Sequence, residues 1–242
     1  MSMELRTAKN STTFVQESYP ENTWTMRRRV AVPGDREHAP DVDTWKPYDF
    51  TNTYPDVRSI LLLIGTLGQD ITGVELGLFR GESFCTILQV CKNVKKLYGV
   101  DLWQPYVDTI NSVNENDGMH VDAKSIDLAR ETALHFTHFS GESHRAEILE
   151  MDSVEAADKF EDGSLDFIFM DSYISEEQIM RELRAWYPKI RPGGLFSGHD
   201  WHCQKVRNAV RMFREEINNK AAVCAYDLTW AWLKQGDDNA TQ

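Results

Sequence analysis

Short apolar runs alternate with amphipathic stretches along most of the chain, from about residue 57 onward. The apolar runs are nearly continuous, which is typical of parallel strands that are buried on both faces. The stretches between them repeat apolar residues at the three- and four-residue spacing of a helix, as in residues 206–213. The pattern therefore predicts an α/β fold, with a Rossmann-like, mostly parallel sheet covered by helices on both faces.

The predicted strands and helices follow one another along the chain. The predicted strands cover residues 72–76, 96–100, 146–150, 165–170 and 195–198, and strand-like runs at 221–226 and 229–233 close the pattern. The predicted helices cover residues 57–68, 83–92, 125–139, 175–187 and 206–218. In an open parallel sheet, ligands bind beyond the carboxyl ends of the strands, so the residues at these ends indicate the chemistry.

The first part of the chain has a different texture. Residues 1–55 are polar and contain five prolines, which break any helical pattern. We therefore predict an N-terminal arm over residues 1–55 and a single domain over residues 56–242. Aromatic residues in the arm indicate that it packs against the domain itself, the substrate pocket or a partner subunit of a homo-oligomer.

Charge and cysteine content narrow the class of partner. The formal net charge is −12, and an acidic surface repels the phosphate backbone of nucleic acids. The four cysteines form no C-x-x-C pair, which predicts free thiols in a reducing compartment and a cytoplasmic location. No apolar run approaches the roughly 20 residues that cross a bilayer, and the first residues lack the apolar segment of a secretion signal, so no membrane partner is expected.

Two glycines follow the first predicted strand. Gly77 and Gly81 permit a tight turn from strand to helix and let a ligand approach the backbone, and Ser83 is a candidate cap for the helix. A dinucleotide fingerprint would read G-x-G-x-x-G, whereas this turn reads G-x-x-x-G and Glu75 lies two residues before the first glycine. An acidic turn suits a ligand with an amino group and a sulfonium charge and repels a pyrophosphate. The turn therefore favours S-adenosylmethionine over NAD.

Acidic residues also follow the next two strands. Asp101 lies about 20 residues after the glycine turn, where a carboxylate accepts the hydroxyls of a ribose. Asp152 follows the third strand, and its carboxylate can accept hydrogen bonds from an adenine amino group. Taken alone, Asp101 could be a helix cap and Asp152 an exposed loop residue. Together with the glycine turn, and in this order, they predict a nucleotide-type site.

These motifs give the chain a resemblance to the class I S-adenosylmethionine-dependent methyltransferases, and among them to the sugar O-methyltransferases. The resemblance covers roughly residues 57–234 and rests on the segments 74–77 with Gly81 and Ser83, 98–103, 165–171, 183–188, 191–194, 198–201 and 232–234. It implies that Glu75, Gly77 and Ser83 hold the methionine part of the cofactor, that Asp101 holds the ribose and that Asp152 holds the adenine end. The full predicted cofactor set is Glu75, Gly77, Gly81, Ser83, Asp101, Leu102, Asp152, Ser153 and Asp171.

The ends of the fourth and fifth strands hold the predicted catalytic residues, Asp171, His199 and Asp200. Asp171 and Asp200 can bind Mg²⁺, which would orient an acceptor hydroxyl and lower its pKa. The alternative is metal-free catalysis with His199 as the general base. The chain departs from related metal-dependent enzymes at Trp201, where they carry a third Asp or Asn, and from sugar-methylating relatives at Tyr173, where they often carry a His.

The predicted function is O-methylation of a small polar acceptor, such as a sugar, with S-adenosylmethionine as the donor. An RNA, cap or other nucleic-acid methyltransferase is the alternative within the same fold, supported only by the three arginines at 27–29. A cofactor-binding protein without turnover and a nicotinamide oxidoreductase are the other classes considered, and the glycine spacing disfavours the oxidoreductase. The polar connection at 104–124 is either a lid, with Trp103, Tyr106 and His120 at the pocket mouth, or a plain surface insertion.

Overall fold

The computed structural model describes residue 49 and residues 57–108, 119–172, 175–226 and 228–236 of the chain. The helices of the described residues are α1 (Arg58–Gly65), α2 (Glu82–Val90), α3 (Ala123–Phe139), α4 (Ser153–Ala156), α5 (Glu176–Trp186) and α6 (Gln204–Glu216). The strands are β1 (Ile71–Leu76), β2 (Val94–Asp101), β3 (Tyr106–Asp108), β4 (Met119–Val121), β5 (Ala146–Glu150), β6 (Leu165–Met170), β7 (Ile190–Gly198), β8 (Cys224–Tyr226) and β9 (Thr229–Leu233).

The main sheet has seven strands in the order β5-β2-β1-β6-β7-β9-β8. Strands β5, β2, β1, β6 and β7 run parallel, whereas β9 is antiparallel to β7 and β8 is antiparallel to β9. The chain moves outward from β1 through β2 and β5, and then in the other direction through β6 and β7. The strand order thus reverses between β1 and β6, the position beyond whose carboxyl ends ligands bind in open sheets of this kind. The predicted Rossmann-like, mostly parallel sheet is confirmed.

One face of the sheet is covered by α4, α5 and α6. Val74 and Leu76 of β1 belong to a single buried cluster together with residues of these three helices. Helix α5 contributes Ile179, Leu183 and Trp186, all fully buried. These residues follow the three- and four-residue spacing of an amphipathic helix, so burial of one apolar stripe fixes α5 against the strands.

The opposite face is covered by α2 and α3. Glu75 lies between two residues of β1 that face the first cluster, so its side chain points to the other side of the sheet. Ser83 of α2 donates a hydrogen bond to Glu75, which places α2 on this face. Helix α3 packs against α2, since a Cβ added at Gly81 would lie 3.2 Å from Cα of Ala133.

The predicted elements are present with small shifts of their ends. The strands predicted at 146–150 and 165–170 coincide with β5 and β6. Strand β7 is longer than predicted, because it begins at Ile190 and includes Pro192. The register between β6 and β7 shifts at this point. Such an irregularity accommodates a proline, which has no N–H to donate to the ladder.

The connection at 104–124 contains a short antiparallel pair, β3 and β4, which the sequence did not indicate. Strands of three residues are too short to display an alternating pattern. The predicted arm, apart from residue 49, lies outside the described residues, as do Tyr173 and the middle of this connection. Among the described helices, none is long and apolar enough to cross a membrane.

Candidate active site

Acidic side chains line the carboxyl edge of the parallel strands. Glu75 is the second-last residue of β1, and Asp101 is the last residue of β2. Asp171 follows β6 directly, while Asp152 and Asp200 come two residues after β5 and β7. In the spatial order of the strands, the edge reads Asp152, Asp101, Glu75, Asp171 and Asp200. The acids singled out in the sequence therefore share one edge of the sheet.

Glu75 is fully buried, and only one of its two carboxylate oxygens has a hydrogen-bond partner among the described residues. Its Oε1 accepts a hydrogen bond from Ser83 Oγ, and its Oε2 is buried with no partner among the described residues. Burial raises the pKa of Glu75 well above its ordinary value, although the Ser83 hydrogen bond opposes the shift. Buried polar atoms without a partner are rare in native proteins and call for a ligand, ion or water. Glu75 Oε2 is thus available to a ligand group that donates hydrogen bonds.

The two glycines of the turn are required by packing against the chain itself. Their φ angles are positive, 81° at Gly77 and 79° at Gly81, which favours glycine. A Cβ at Gly77 would lie 2.4 Å from the carbonyl oxygen of Asp171. The tight turn is therefore as predicted, but the closest atoms belong to the protein. The N-cap of α2 is Gly81, and no side chain caps this helix, so the predicted cap at Ser83 is wrong.

Asp101 holds the glycine turn in place. Its Oδ2 accepts hydrogen bonds from the backbone N–H groups of Leu78 at 2.9 Å and Phe79 at 2.8 Å. Its Oδ1 accepts one from the N–H of Trp103 at 2.8 Å. Burial raises the pKa of Asp101, although these N–H groups oppose the shift. A carboxylate has about four acceptor positions, so a bound ribose would share Asp101 with the backbone of the turn.

Apolar side chains flank this carboxylate. Leu102 and Phe79 are each 38% exposed, so two large apolar side chains near Asp101 are accessible to a ligand. Trp103 is buried, and its Nε1 donates to the carbonyl of Phe79 at 2.9 Å, so it packs against the glycine turn. Tyr106 is half-buried on β3, and the side chain of His120 lies outside the described part of the chain.

Backbone strain accompanies the same strand ends. The φ angle is 47° at Phe79, 45° at Trp103 and 55° at Asp200. Left-handed backbone is uncommon for residues other than glycine, and rarer still for bulky ones. Such strain persists only where the surroundings hold it, and it clusters at functional sites. Two further residues with such backbone, Asp70 and Asn218, lie away from this edge, so it is the bulky Phe79 and Trp103 that distinguish the ends of β1 and β2.

Asp152 caps the short helix α4. Its Oδ1 accepts hydrogen bonds from the N–H of Val154 at 2.8 Å and of Glu155 at 3.1 Å. The residue is half-buried, and its Oδ2 makes no hydrogen bond within the described part of the chain. One oxygen of Asp152 is therefore occupied by the cap, and the other is left for a donor such as an amino group.

A buried carboxyl group that the sequence analysis missed lies on α5. Glu182 is fully buried and accepts hydrogen bonds from the hydroxyls of Ser153 and Ser172 and from the amide of Gln178. Burial raises the pKa of Glu182 from 4.5 to about 7, against the lowering effect of these bonds. A signal was present in the sequence, because position 182 falls on the apolar face of α5, where a carboxylate is unusual.

The raised pKa of Glu182 makes a stability prediction. Between pH 4.5 and 7 the folded state keeps a proton that the unfolded state has released, so the stability of the wild type falls as the pH rises through this window. Glu182→Gln does not titrate. Its unfolding free energy, relative to the wild type, is expected to rise by about 3 kcal/mol between pH 4.5 and pH 8, as measured by urea denaturation.

The control for this measurement is Glu150→Gln. Glu150 is an exposed carboxylate whose pKa is lowered by its hydrogen bonds to Arg130. Because its folded-state pKa is lowered, its contribution to stability has the opposite sign and is nearly complete soon above pH 4.5, so its replacement leaves the pH slope unchanged over most of the window. Parallel profiles for Glu182→Gln and the wild type would contradict the raised pKa.

The acceptor-side residues converge on one histidine nitrogen. Nδ1 of His199 lies 3.3 Å from Asp171 Oδ1 and 3.4 Å from Asp200 Oδ1. Nε2 of His199 is buried with no partner among the described residues. Burial alone would lower the pKa of His199, but the two carboxylates raise it to about 10. Burial raises the pKa of Asp171, although His199 opposes that shift. The two carboxylates thus favour the protonated form of His199, which does not favour it as a general base.

The same residues offer a donor set for a metal ion. One ligand atom each of Asp171, His199 and Asp200 lies within 4.8 Å of the others. Two carboxylates suit Mg²⁺, which takes oxygen ligands and keeps several waters. The set fits Mg²⁺ with two protein oxygens, since the tryptophan after Asp200 adds none. A second set, Asp200, His202 and Cys203, meets the same distance limit, and its mixed donors suit Zn²⁺ better.

Fold and site together define a class of protein. In a doubly wound parallel sheet, ligands bind at the carboxyl edge where the strand order reverses, and here acidic side chains lie along that edge. Residues 74–201 match the model of a family described as a methyltransferase domain. The chain belongs to this family and is a class I S-adenosylmethionine-dependent methyltransferase, as the sequence motifs predicted.

Solved structures share this fold. The O-methyltransferase NovP is 19% identical with a TM-score of 0.54, and the match covers 73% of this chain and 80% of that one. A candidate O-methyltransferase from Klebsiella pneumoniae is 18% identical with a TM-score of 0.50, over 72% and 78% of the two chains. A candidate S-adenosylmethionine-dependent methyltransferase from Methanococcus maripaludis is 14% identical with a TM-score of 0.53, over 77% and 87%. A comparison with curated proteins finds no match.

Proposed function

We propose that this methyltransferase transfers a methyl group to a hydroxyl oxygen of a small polar acceptor, such as a sugar. The observation that carries the proposal is the convergence of Asp171 and Asp200 at the ends of the adjacent strands β6 and β7. A pair of carboxylates beside the cofactor suits a hydroxyl, which must lose a proton as it is methylated. The likeness to NovP, an O-methyltransferase, supports the same assignment.

The cofactor is proposed to lie along the acidic edge, from β5 to β6. Oε2 of Glu75 would accept from the amino group of the methionine part, because it is a buried acceptor with no partner in the described chain. The remaining acceptor capacity of Asp101 would take a ribose hydroxyl, with Leu102 beside it. Oδ2 of Asp152 would accept from the adenine amino group.

The other residues of the predicted cofactor set shape the site or orient the residues that would contact the cofactor. Gly77 and Gly81 shape the turn, and Ser83 fixes the orientation of Glu75 through its hydrogen bond. Ser153 begins α4 next to the adenine end. Asp171 lies where the cofactor side and the acceptor side meet, because it follows the strand next to β1.

The reaction needs an oxygen nucleophile aligned with the sulfonium group. The acceptor oxygen attacks the methyl carbon, an O–C bond forms, and the C–S bond breaks with its electron pair moving to sulfur. The carboxylate pair takes up the hydroxyl proton. Both carboxylates are oriented by His199, whose Nδ1 contacts both and whose Nε2 is buried without a partner among the described residues. Asp171 and Asp200 would hold Mg²⁺, which would supply positive charge that lowers the pKa of a nearby hydroxyl.

The test is turnover on a panel of acceptors. Purified protein is incubated with S-adenosylmethionine and with sugars, polyols, primary amines or RNA, and S-adenosylhomocysteine is measured by mass spectrometry. We expect product with a hydroxyl acceptor of small size. Product that forms only with amines or only with RNA would overturn the proposal.

A chelator arm addresses the metal. Treatment with EDTA is expected to reduce the rate, and added Mg²⁺ is expected to restore it. A rate that EDTA leaves unchanged would overturn the Mg²⁺ assignment. Restoration of the rate by Zn²⁺ alone would instead assign the metal site to Asp200, His202 and Cys203.

A further inference from the structure

Glu182 on α5 forms hydrogen bonds to two segments of the candidate site, the one after Asp152 and the one after Asp171. Its carboxylate accepts a hydrogen bond from Ser153 Oγ, and Ser172 Oγ lies 2.7 Å from both of its oxygens. Gln178, one turn earlier on α5, donates to Glu182 Oε1 at 3.1 Å and to Ser153 Oγ at 3.1 Å. The result is a compact network in which one carboxylate receives donors from the first residue of α4, from the segment after β6 and from its own helix.

Each serine is next to a predicted site residue. Ser153 directly follows Asp152, and its carbonyl oxygen also accepts a hydrogen bond from Trp186 Nε1 at 2.7 Å. Two residues one turn apart on α5 therefore fix both the side chain and the backbone of Ser153. The start of α4, where Asp152 acts as the cap, is anchored to a rigid helix.

The second serine ties the network to the glycine turn. Ser172 directly follows Asp171, and its Cα lies 2.6 Å from the position that a Cβ at Gly77 would occupy. The backbone of Ser172 is thus in contact with the turn that follows β1. Through Ser172, Glu182 holds the segment that carries Asp171 and supports the turn beside it.

The chemistry of Glu182 differs from that of an ordinary core residue. Its hydrogen-bond partners within the described chain are neutral, and the nearby charge is Asp152, which repels it. A buried carboxyl group without a cationic partner is costly, and an apolar side chain would suit this face of α5 better. A residue that departs from the local pattern in this way, between two loops of an active site, is expected to serve function.

We propose that Glu182 is a positioning residue, which holds the segments after Asp152 and Asp171 at the separation that cofactor and acceptor require. The inference rests on the proposed function of these two aspartates. It assigns the action to hydrogen-bond geometry rather than to charge, because the Glu182 carboxylate is fully buried and acts through two serine hydroxyls.

Single serine variants separate the two hydrogen bonds of Glu182, the one with Ser153 and the one with Ser172. Ser153→Ala is expected to raise the Kd for S-adenosylhomocysteine about 10-fold, with a smaller effect on kcat at saturating cofactor. Ser172→Ala is expected to lower kcat about 10-fold, with a smaller effect on Kd. Calorimetric titration gives the Kd, and product formation with the acceptor found in the panel gives kcat. A purely structural role would not divide the effects in this way.

Variants of Glu182 itself test the hydrogen bonds to Ser153 and Ser172 together. Glu182→Ala is expected to show both losses. Glu182→Gln is expected to restore binding and turnover to within about 3-fold of the wild type, since its amide oxygen accepts from Ser153 and its NH2 group donates to the hydroxyl of Ser172. If Glu182→Ala does not fold, the serine variants and Glu182→Gln carry the test.

The control is Ser140→Ala, which removes another buried serine hydroxyl. Ser140 lies at the end of α3, donates to the carbonyl of Thr137 and accepts from the N–H of Glu142. We expect Kd and kcat to stay at wild-type values in this variant. Equal effects in Ser140→Ala and Ser153→Ala, or wild-type values in both Ser153→Ala and Ser172→Ala, would overturn the proposal. A wild-type protein that binds S-adenosylhomocysteine but methylates no hydroxyl would instead count against the proposed function, since the effect of Ser153→Ala on Kd stays measurable.

Discussion

Asp101→Asn is expected to weaken the binding of S-adenosylmethionine by roughly 1.5–3 kcal/mol, on the order of 10- to 100-fold in Kd. Both oxygens of Asp101 accept hydrogen bonds from backbone N–H groups, Oδ2 from Leu78 and Phe79 and Oδ1 from Trp103. An asparagine has one accepting oxygen, so in either orientation its NH2 group faces a backbone N–H. The substitution therefore loosens the glycine turn and also removes the negative charge proposed to bind the ribose.

The matched control for Asp101→Asn is Asp122→Asn. Asp122 caps α3, and its Oδ1 accepts a hydrogen bond from the N–H of Ser125 at 2.8 Å. The chemical change is the same, but no part of the proposed cofactor site is involved. Calorimetry is expected to give a wild-type Kd for this variant. An unchanged Kd for Asp101→Asn would remove Asp101 from the cofactor site, and equal losses in both variants would indicate a general loss of folding.

The fold could be predicted largely from the sequence because its strands are short, apolar and regularly spaced. The strands at 146–150 and 165–170 match β5 and β6. Strand β6 is buried along most of its length, whereas β5 is an edge strand that exposes Glu147 and Glu150. The β3–β4 pair could not be predicted in the same way. Its strands pair only with each other and have three residues apiece, so the main sheet does not impose a visible pattern on them.

It could also be predicted that the candidate acids share one edge of the sheet, but most of their hydrogen bonds could not be predicted. Acids after successive parallel strands must share one edge of the sheet, and this follows from chain order alone. Which N–H groups point at Asp101 depends instead on how residues 78 and 79 fold, with φ at 47° for Phe79. Sequence periodicity carries no information on such local backbone. Glu182 is the exception, because a carboxylate on the apolar stripe of α5 is visible in the sequence once the helix is placed.

Asp200→Asn is expected to lower kcat by on the order of 10²- to 10⁴-fold, the usual range for loss of an acid–base group. Asp200 and Asp171 flank Nδ1 of His199 at 3.4 and 3.3 Å, so the amide keeps the shape of the site and removes its capacity to take a proton or hold Mg²⁺. Asp200 has a φ of 55°, and asparagine tolerates left-handed backbone, so the substitution adds no strain. The Kd for S-adenosylhomocysteine is expected to stay near the wild-type value, because the cofactor is proposed to bind at the strands from β5 to β6.

The control lies at the other end of β6. Asp166 pairs with Arg191 at 2.6 Å and accepts a hydrogen bond from the N–H of Thr72, at the amino end of the strand whose carboxyl end leads to Asp171. Asp166→Asn is expected to leave kcat unchanged. If Asp171 and Asp200 act as one unit, the double variant Asp171→Asn with Asp200→Asn loses no more activity than either single variant, as expected for groups that serve the same step. Losses that multiply would mean that the two carboxylates act in separate steps, and substantial turnover in Asp200→Asn would exclude this residue from the chemistry.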